Sequence, residues 1–123
     1  MYSKELDIAL SAVSAASRLC RSARTTLVDA ESVSKKDRSP VTIADFGSQA
    51  LISLALAEAF PGDPIVGEED AAILRENDFL RGKVHELVES EAGPTVEDRI
   101  LEAIDRGAGD VDFSGRYWTV DPI

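Results

Sequence analysis

The stretch Phe60–Asp70, FPGDPIVGEED, decides the fold because three kinds of local structure meet in it. Pro61 and Gly62 are a helix stop signal, and a short apolar run of Ile65 and Val66 follows them. Turn residues bound this run and three acids come directly after it, which is typical of a buried strand that leads into a loop. The sequence therefore predicts a helix ending near Phe60, then a strand that delivers an acidic loop.

Two amphipathic helices are predicted upstream of this stretch. Small and apolar residues recur at spacings of three and four over residues 3 to about 30, and again over residues 44 to 60. The polar segment between them contains Pro40, which predicts a loop with extended geometry. Asp45 would then lie at the start of the second helix, where aspartate is a favoured N-cap.

The chain after Asp70 is predicted to hold weaker helical pieces and one more strand. The helical pieces cover residues 71–90 and 95–107, and Thr95 with Asp98 has the pattern of a capping box. The last stretch, RYWTVDPI at residues 116–123, is rich in aromatic and β-branched residues and predicts a core strand that ends at Asp121. The fold class is therefore expected to be α+β.

Composition excludes several classes of protein. The 123 residues suit one domain, and no apolar run approaches the roughly 20 residues of a membrane span. The net charge of −10, from 23 acidic and 13 basic residues, argues against a nucleic-acid polymer as partner. The N-terminus lacks a secretory signal, and the single Cys20 cannot form an internal disulfide, so we expect a soluble protein of the reducing cytoplasm.

Acidic residues occupy three comparable positions. Asp45 is expected at a helix start, Glu68 and Glu69 follow one strand, and Asp121 follows another. Open α/β sheets place their sites at strand ends, and carboxylates gathered there could bind Mg²⁺ and through it a phosphoryl group. Each motif alone also fits an ordinary structural role: a helix cap for Asp45, a solvated turn for GEED, and a turn for DPI.

Together the motifs resemble a known family. The ordered trio SPVTIADFGSQALI, FPGDPIVGEED and GRYWTVDPI resembles the lithium-sensitive, magnesium-dependent phosphomonoesterases of the inositol monophosphatase superfamily, and most closely the 3'(2'),5'-bisphosphate nucleotidases. The resemblance implies the N-terminal part of a layered αβαβα sugar-phosphatase fold, with two long helices packed on a β-sheet. Residues 71–112 read like an insertion of the nucleotidase branch.

The resemblance also implies roles for individual residues. Glu68 resembles a metal ligand that faces the attacking water, and Asp121 resembles the carboxylate that bridges two metals. Ile123 would contribute its backbone carbonyl to one metal, and Asp45 resembles the residue that orients and deprotonates the water. Two or three Mg²⁺ ions per site are implied, Glu69 would lie outside the ligand shell, and no substrate-binding residue is identified.

The implied reaction is hydrolysis of the 3'-phosphate of 3'-phosphoadenosine 5'-phosphate, or of its sulfated form, with water as nucleophile and no phosphoenzyme. In the family the last motif continues as Asp-Pro-Ile-Asp-Gly-Thr, so residues 1–123 are expected to be the N-terminal portion of one catalytic unit, cut inside this motif and inactive alone. The C-terminal remainder, as a continuation or a separate chain, is the implied partner. Two other hypotheses remain: an inositol polyphosphate 1-phosphatase or inositol monophosphatase, and a non-catalytic acidic interaction module.

The remaining conspicuous residues are given structural roles. His85 is expected to be a surface or hydrogen-bonded histidine, and Cys20 to pack on the apolar face of the first helix. Trp118 is expected in the core with a partner for its indole N–H. Lys35 and Lys36 are interpreted as solvated.

Overall fold

The computed structural model describes residues 1–29, 40–108 and 114–121 of the chain. Its elements are, in chain order, α1 (Ser3–Asp29), α2 (Pro40–Ala59), β1 (Ile65–Gly67), α3 (Ala72–Glu76), α4 (Asp78–Ala92), α5 (Glu97–Arg106) and β2 (Trp118–Val120). The expected α+β class is confirmed. Among these described helices, none combines the length and the apolar character that a membrane crossing requires.

Helices α1 and α2 pack along one another because their small and apolar residues share one face. Leu19 of α1 and Phe46 of α2 are both almost completely buried in the main core cluster. Gly47 permits the close approach, since a Cβ atom at this position would lie 2.9 Å from both terminal methyl groups of Leu19. The first helix has the predicted extent, but the second begins four residues earlier than predicted, at Pro40 instead of Ala44.

The early start of α2 has a simple physical reason. Proline suits the first turn of a helix, because its missing N–H would have no partner there and its fixed φ is already helical. The sequence prediction treated Pro40 as a loop residue, which was wrong. As a result Asp45 lies inside the helix, past the first turn, and the interpretation of Asp45 as an N-cap is wrong as well.

Strands β1 and β2 form a parallel pair. Ile65 is opposite Trp118, and Gly67 is opposite Val120. Both helices cover this pair, since buried Leu56 at the end of α2 packs with Ile65 and Val120, and Ile8 of α1 packs against the same cluster. The expected packing of the two long helices on strands is therefore observed.

The helices between the strands differ in detail from the prediction. The first predicted piece is two helices, because Asn77 ends α3 and its side chain accepts a hydrogen bond from the N–H of Leu80 at the start of α4 (3.0 Å). The capping box was wrong: Val96 is the N-cap of α5, and the Thr95 hydroxyl donates to the carbonyl of Gly93 (2.8 Å). Helix α5 reaches β1, where the N–H of Gly67 donates to the carbonyl of Gly107 (2.9 Å).

Arg116 ties the start of β2 to two other segments. Its guanidinium donates to the carboxylate of Asp63 from Nε (2.8 Å) and to that of Glu5 from Nη1 (2.7 Å), and it lies over the ring of Phe60. Trp118 stacks on the same ring, with centroids 5.6 Å apart, and its indole N–H donates to Asp63 (3.0 Å). The predicted partner for this N–H is thus found, although Trp118 is only half-buried.

Removal of the Arg116 guanidinium is expected to lower the thermal unfolding midpoint of the chain, by an amount that depends on pH. The hydrogen bond from Arg116 is the main cause that lowers the pKa of Asp63. A lowered carboxyl pKa stabilises the fold above the ordinary aspartate value of about 4, and this stabilisation is lost as pH falls through the lowered value. The midpoint difference between the chain and Arg116→Met should therefore be largest near neutral pH and shrink in acid.

Calorimetry from neutral pH to below pH 4 measures this difference. Arg24→Met, which removes an exposed arginine from α1, is the matched control and should change the midpoint little at any pH. If the midpoint difference for Arg116→Met is constant over the whole pH range, the hydrogen bond from Arg116 is not the cause of the lowered pKa of Asp63.

Candidate metal-dependent active site

The pairing of β1 and β2 brings two predicted site residues together. Glu68 directly follows Gly67, and Asp121 directly follows Val120. Because Gly67 and Val120 are register partners in a parallel pair, both acids leave the sheet at the same edge. The carboxyl ends of parallel strands are where such sheets carry their sites.

The Glu68 and Asp121 side chains interact directly. The pKa of Glu68 is raised, first by the negative charge of Asp121 and next by a hydrogen bond between the two carboxyl groups, which favours the protonated form of Glu68. Local desolvation and the charge of Asp45 raise the pKa of Glu68 further. The metal-free chain therefore holds like charges close together at this edge.

Asp45 reaches the same place from α2. Its side chain is half-buried, and its pKa is raised first by this burial and then by the charge of Asp121. A residue inside a helix has a fixed direction, so the helix aims this carboxylate at the end of the sheet. Three separate segments thus bring Asp45, Glu68 and Asp121 within electrostatic reach of one another.

The other two acids of the loop have different surroundings. Glu69 is half-buried, and its pKa is raised by burial and then by the charges of Asp45, Glu68 and Asp70. Asp70 is exposed and accepts a hydrogen bond from the N–H of Ala72 (2.9 Å), which fixes the turn into α3.

The donor set fits a hard divalent cation, although the described residues do not complete a metal site. No group of three histidine, cysteine or carboxylate side chains within residues 1–29, 40–108 and 114–121 is gathered closely enough to hold an ion. Ile123, the predicted carbonyl ligand, lies outside the described residues. All available donors are oxygens, which Mg²⁺ prefers, and a cation between the acids would relieve the repulsion that raises the pKa of Glu68.

An open groove of about 590 Å³ adjoins Asp121 between α1 and α2. Its walls include Val13, Cys20, Arg21 and Ser48. The predicted role of Cys20 in packing agrees with its place beside the core, and its thiol lies 3.3 Å from the hydroxyl of Ser48.

Two further predictions concern residues away from the acids. His85 is half-buried on α4, and its Nε2 lies 2.8 Å from the carbonyl oxygen of Thr95, as expected for a hydrogen-bonded histidine. Lys35 and Lys36 lie outside the described residues, so their interpretation as solvated stays a prediction.

Gln49 is a residue near the site that sequence reasoning missed. It lies one helical turn after Asp45 on α2, is completely buried, and contacts the backbone of Glu69. A long amide in the apolar part of a helix is unusual, because burial of an unpaired polar group is costly. That mismatch between Gln49 and its neighbours was the available sequence signal.

Comparison with curated proteins gives several relatives, while no family model matches the chain. A putative mitochondrial 3'(2'),5'-bisphosphate nucleotidase of Arabidopsis thaliana is 42% identical over 99% of the chain, which covers 33% of that relative. The 3'(2'),5'-bisphosphate nucleotidase 1 of the same plant is also 42% identical over 99% of the chain, with 38% of the relative covered. The 3'(2'),5'-bisphosphate nucleotidase of Schizosaccharomyces pombe is 38% identical over 99% of the chain, which covers 38% of that relative.

The matched region includes the positions of all three acidic motifs, because it covers 99% of the chain. The chain spans between a third and two-fifths of the length of these relatives. Over that span, the chain is homologous to proteins named 3'(2'),5'-bisphosphate nucleotidase, at 38% to 42% identity.

Proposed function

We propose that the chain is a part of a magnesium-dependent phosphomonoesterase and that it carries three of the acids of the active site, Asp45, Glu68 and Asp121. The proposed substrate is 3'-phosphoadenosine 5'-phosphate, or its sulfated form, and the products are phosphate and AMP, or adenylyl sulfate. The observation that supports this most is the approach of Glu68 and Asp121 at one end of the sheet, where the charge of Asp121 raises the pKa of Glu68, with Asp45 of α2 within electrostatic reach of both. The relatives are named 3'(2'),5'-bisphosphate nucleotidases, which supports hydrolysis of a nucleotide bisphosphate.

In this proposal, each acid has its own task. Glu68 would be a metal ligand on the side of the attacking water, Asp121 would be a ligand to two of the metal ions, and Ile123 would add its carbonyl oxygen. Asp45 orients the water and accepts its proton, and the raised pKa that burial gives Asp45 makes it a better base than an exposed aspartate. Two or three bound Mg²⁺ ions would supply positive charge for the phosphoryl oxygens and lower the pKa of the water.

The proposed partner is the C-terminal remainder of the enzyme, present as a continuation or as a separate chain. Leu6, Leu10 and Val13 form an exposed apolar stripe on α1, with spacings of four and three residues. Val13 also lines the groove beside Asp121, so the stripe leads directly to the site. An exposed apolar surface of this kind is typical of an interface, and its position suits a segment that completes the active site. The chain alone is therefore proposed to be inactive.

The proposed compartment is the cytoplasm, or a similarly reducing one. The supporting observation is the free Cys20, which is the only cysteine in the sequence and packs beside the core as a thiol. A reducing environment keeps such a thiol unmodified.

A chimaeric enzyme tests the proposed substrate. In this chimaera, the chain replaces the 38% of the Arabidopsis 3'(2'),5'-bisphosphate nucleotidase 1 that it matches. We expect Mg²⁺-dependent release of phosphate from 3'-phosphoadenosine 5'-phosphate, with a kcat/KM well above that for inositol phosphates. Preference for an inositol phosphate would identify the rival phosphatase, and a folded chimaera without phosphatase activity would favour the acidic interaction module.

A further inference from the structure

The carboxamide of Gln49 joins three segments around the acidic loop. Its Oε1 accepts a hydrogen bond from the N–H of Glu69 (3.0 Å), and its Nε2 donates to the carbonyl of the same residue (2.9 Å). The second Nε2 hydrogen goes to the carbonyl of Ile104 in α5 (2.9 Å). Gln49 is completely buried, and one side chain of α2 therefore holds both the loop after β1 and the last turn of α5.

The loop is built to fit this side chain. A Cβ atom added to Gly67 would lie 2.7 Å from the Cδ and Oε1 atoms of Gln49, and one added to Gly107 would lie 2.9 Å from Nε2. Contacts below 3.0 Å require a shift, and the buried amide has little room to move. Gly67 directly precedes Glu68, so the amide clamps the backbone on both sides of that acid.

We propose that Gln49 is a positioning residue, which binds no metal itself but directs the Glu68 carboxylate toward Asp121 and Asp45. The inference rests on the proposed function, since it assigns Glu68 to the metal site. Gln49 and Asp45 lie one turn apart on α2, so the same helix presents one acid and sets the loop that carries another. Outer groups that orient metal ligands affect metal affinity without contacting the ion.

The Gln49→Met variant of the 123-residue chain tests the inference. Methionine keeps the length of the side chain and removes every hydrogen bond that the carboxamide makes. We expect the Mn²⁺ dissociation constant, measured by electron paramagnetic resonance, to rise about 10- to 100-fold at a temperature where circular dichroism shows a folded chain. The Glu69 amide should also lose protection from hydrogen exchange, while amides in α4 keep theirs.

Ser53→Ala is the matched control. Ser53 lies one turn further along α2, is as fully buried as Gln49, and its hydroxyl has no partner within the described part of the chain. The control should leave both Mn²⁺ affinity and Glu69 exchange unchanged. Lower thermal stability of Gln49→Met with unchanged Mn²⁺ affinity would reduce Gln49 to a structural residue and overturn the inference.

Gly67→Ala displaces the amide without removing it, and so covers the case in which Gln49→Met fails to fold. Alone, it should weaken Mn²⁺ binding about tenfold. Added to Gln49→Ala, it should weaken binding no further, because its methyl group then enters the space that the amide has left. If Gly67→Ala weakens Mn²⁺ binding equally in the wild-type chain and in the Gln49→Ala chain, the inference is contradicted.

The two proposals fail in different ways. A folded wild-type chain that binds no Mn²⁺ contradicts the proposed function, and hydrogen exchange at Glu69 then decides the positioning role by itself. A wild-type chain that binds Mn²⁺ as tightly as its Gln49→Met variant contradicts only the positioning role.

Discussion

Glu68→Gln in the chimaera is expected to lower kcat for hydrolysis of 3'-phosphoadenosine 5'-phosphate by more than about 100-fold. The change removes the negative charge with which Glu68 is proposed to hold the metal, while the side chain keeps its size. Even groups that only orient metal ligands alter activity about 10- to 100-fold, so loss of a ligand should exceed that range. Release of phosphate under saturating Mg²⁺ and substrate measures the effect.

Asp70→Asn is the charge-matched control for this experiment. Asp70 lies two residues beyond Glu68 in the same loop, and asparagine retains the Oδ1 atom that accepts from the N–H of Ala72. We expect the control to keep kcat within about threefold of the unmodified chimaera, as befits an exposed residue. Equal losses for Glu68→Gln and Asp70→Asn would show that the charge of the loop matters and that Glu68 has no special part.

In the chain itself, Glu68→Gln is expected to have opposite effects on metal binding and on stability. The Mn²⁺ dissociation constant should rise at least about 100-fold, since one proposed ligand is lost. The metal-free chain should unfold at a higher temperature, because the charge of Asp121, which is the main cause of the raised pKa of Glu68, then has one repelling neighbour fewer.

The gain in stability should depend on pH in a defined direction. A carboxyl group whose pKa is raised on folding binds its proton more tightly in the folded chain, so the fold loses stability as pH rises from the ordinary glutamate value of about 4.3 through the raised one. The midpoint advantage of metal-free Glu68→Gln should therefore be small in acid and grow toward neutral pH.

Glu102→Gln is the control for general charge, because Glu102 is an exposed acid on α5. It should change neither the Mn²⁺ affinity nor the midpoint appreciably. A Glu68→Gln chain that unfolds earlier than the wild type without metal would contradict the repulsion described for the sheet edge.

The approximate elements of this fold follow from the sequence, but their pairing does not. The run of Ile65 and Val66 between turn residues predicts a strand, and the acids after it identify the end that matters. The parallel register that sets Gly67 beside Val120 depends on contacts between residues far apart in the chain. No local pattern encodes such contacts, so the meeting of Glu68 and Asp121 was inferred from the family resemblance and from the general placement of sites at strand ends.

The position of Asp45 shows a second limit. Propensity makes Pro40 equally suitable for a loop or for the first turn of a helix, and its neighbours decide between them. Here α2 gains a turn, which moves Asp45 from the helix start into the helix. Asp45 belongs to α2 whether the helix begins at residue 40 or at residue 44. Its side chain therefore has the same direction, toward Asp121, with either boundary.

Gln49 marks a third limit. Its chemical type signals that a partner exists, because a buried amide needs hydrogen bonds. Its partners, the backbones of Glu69 and Ile104, come from segments that the sequence did not place beside α2. Ile104 belongs to residues 71–112, which resemble an insertion, so this region contacts the residue that we propose to position the acidic loop.

Paramagnetic broadening by Mn²⁺ tests most directly whether Asp45, Glu68 and Asp121 hold one cation site. Nuclear magnetic resonance spectra of the isotope-labelled chain, recorded as Mn²⁺ is added below one equivalent, report which amides lie near the ion. The account predicts that amides at all three acids broaden together, ahead of those at the exposed acids Asp98 and Glu102 of α5. Broadening spread evenly over the acidic surface, or confined to one of the three segments, would contradict it.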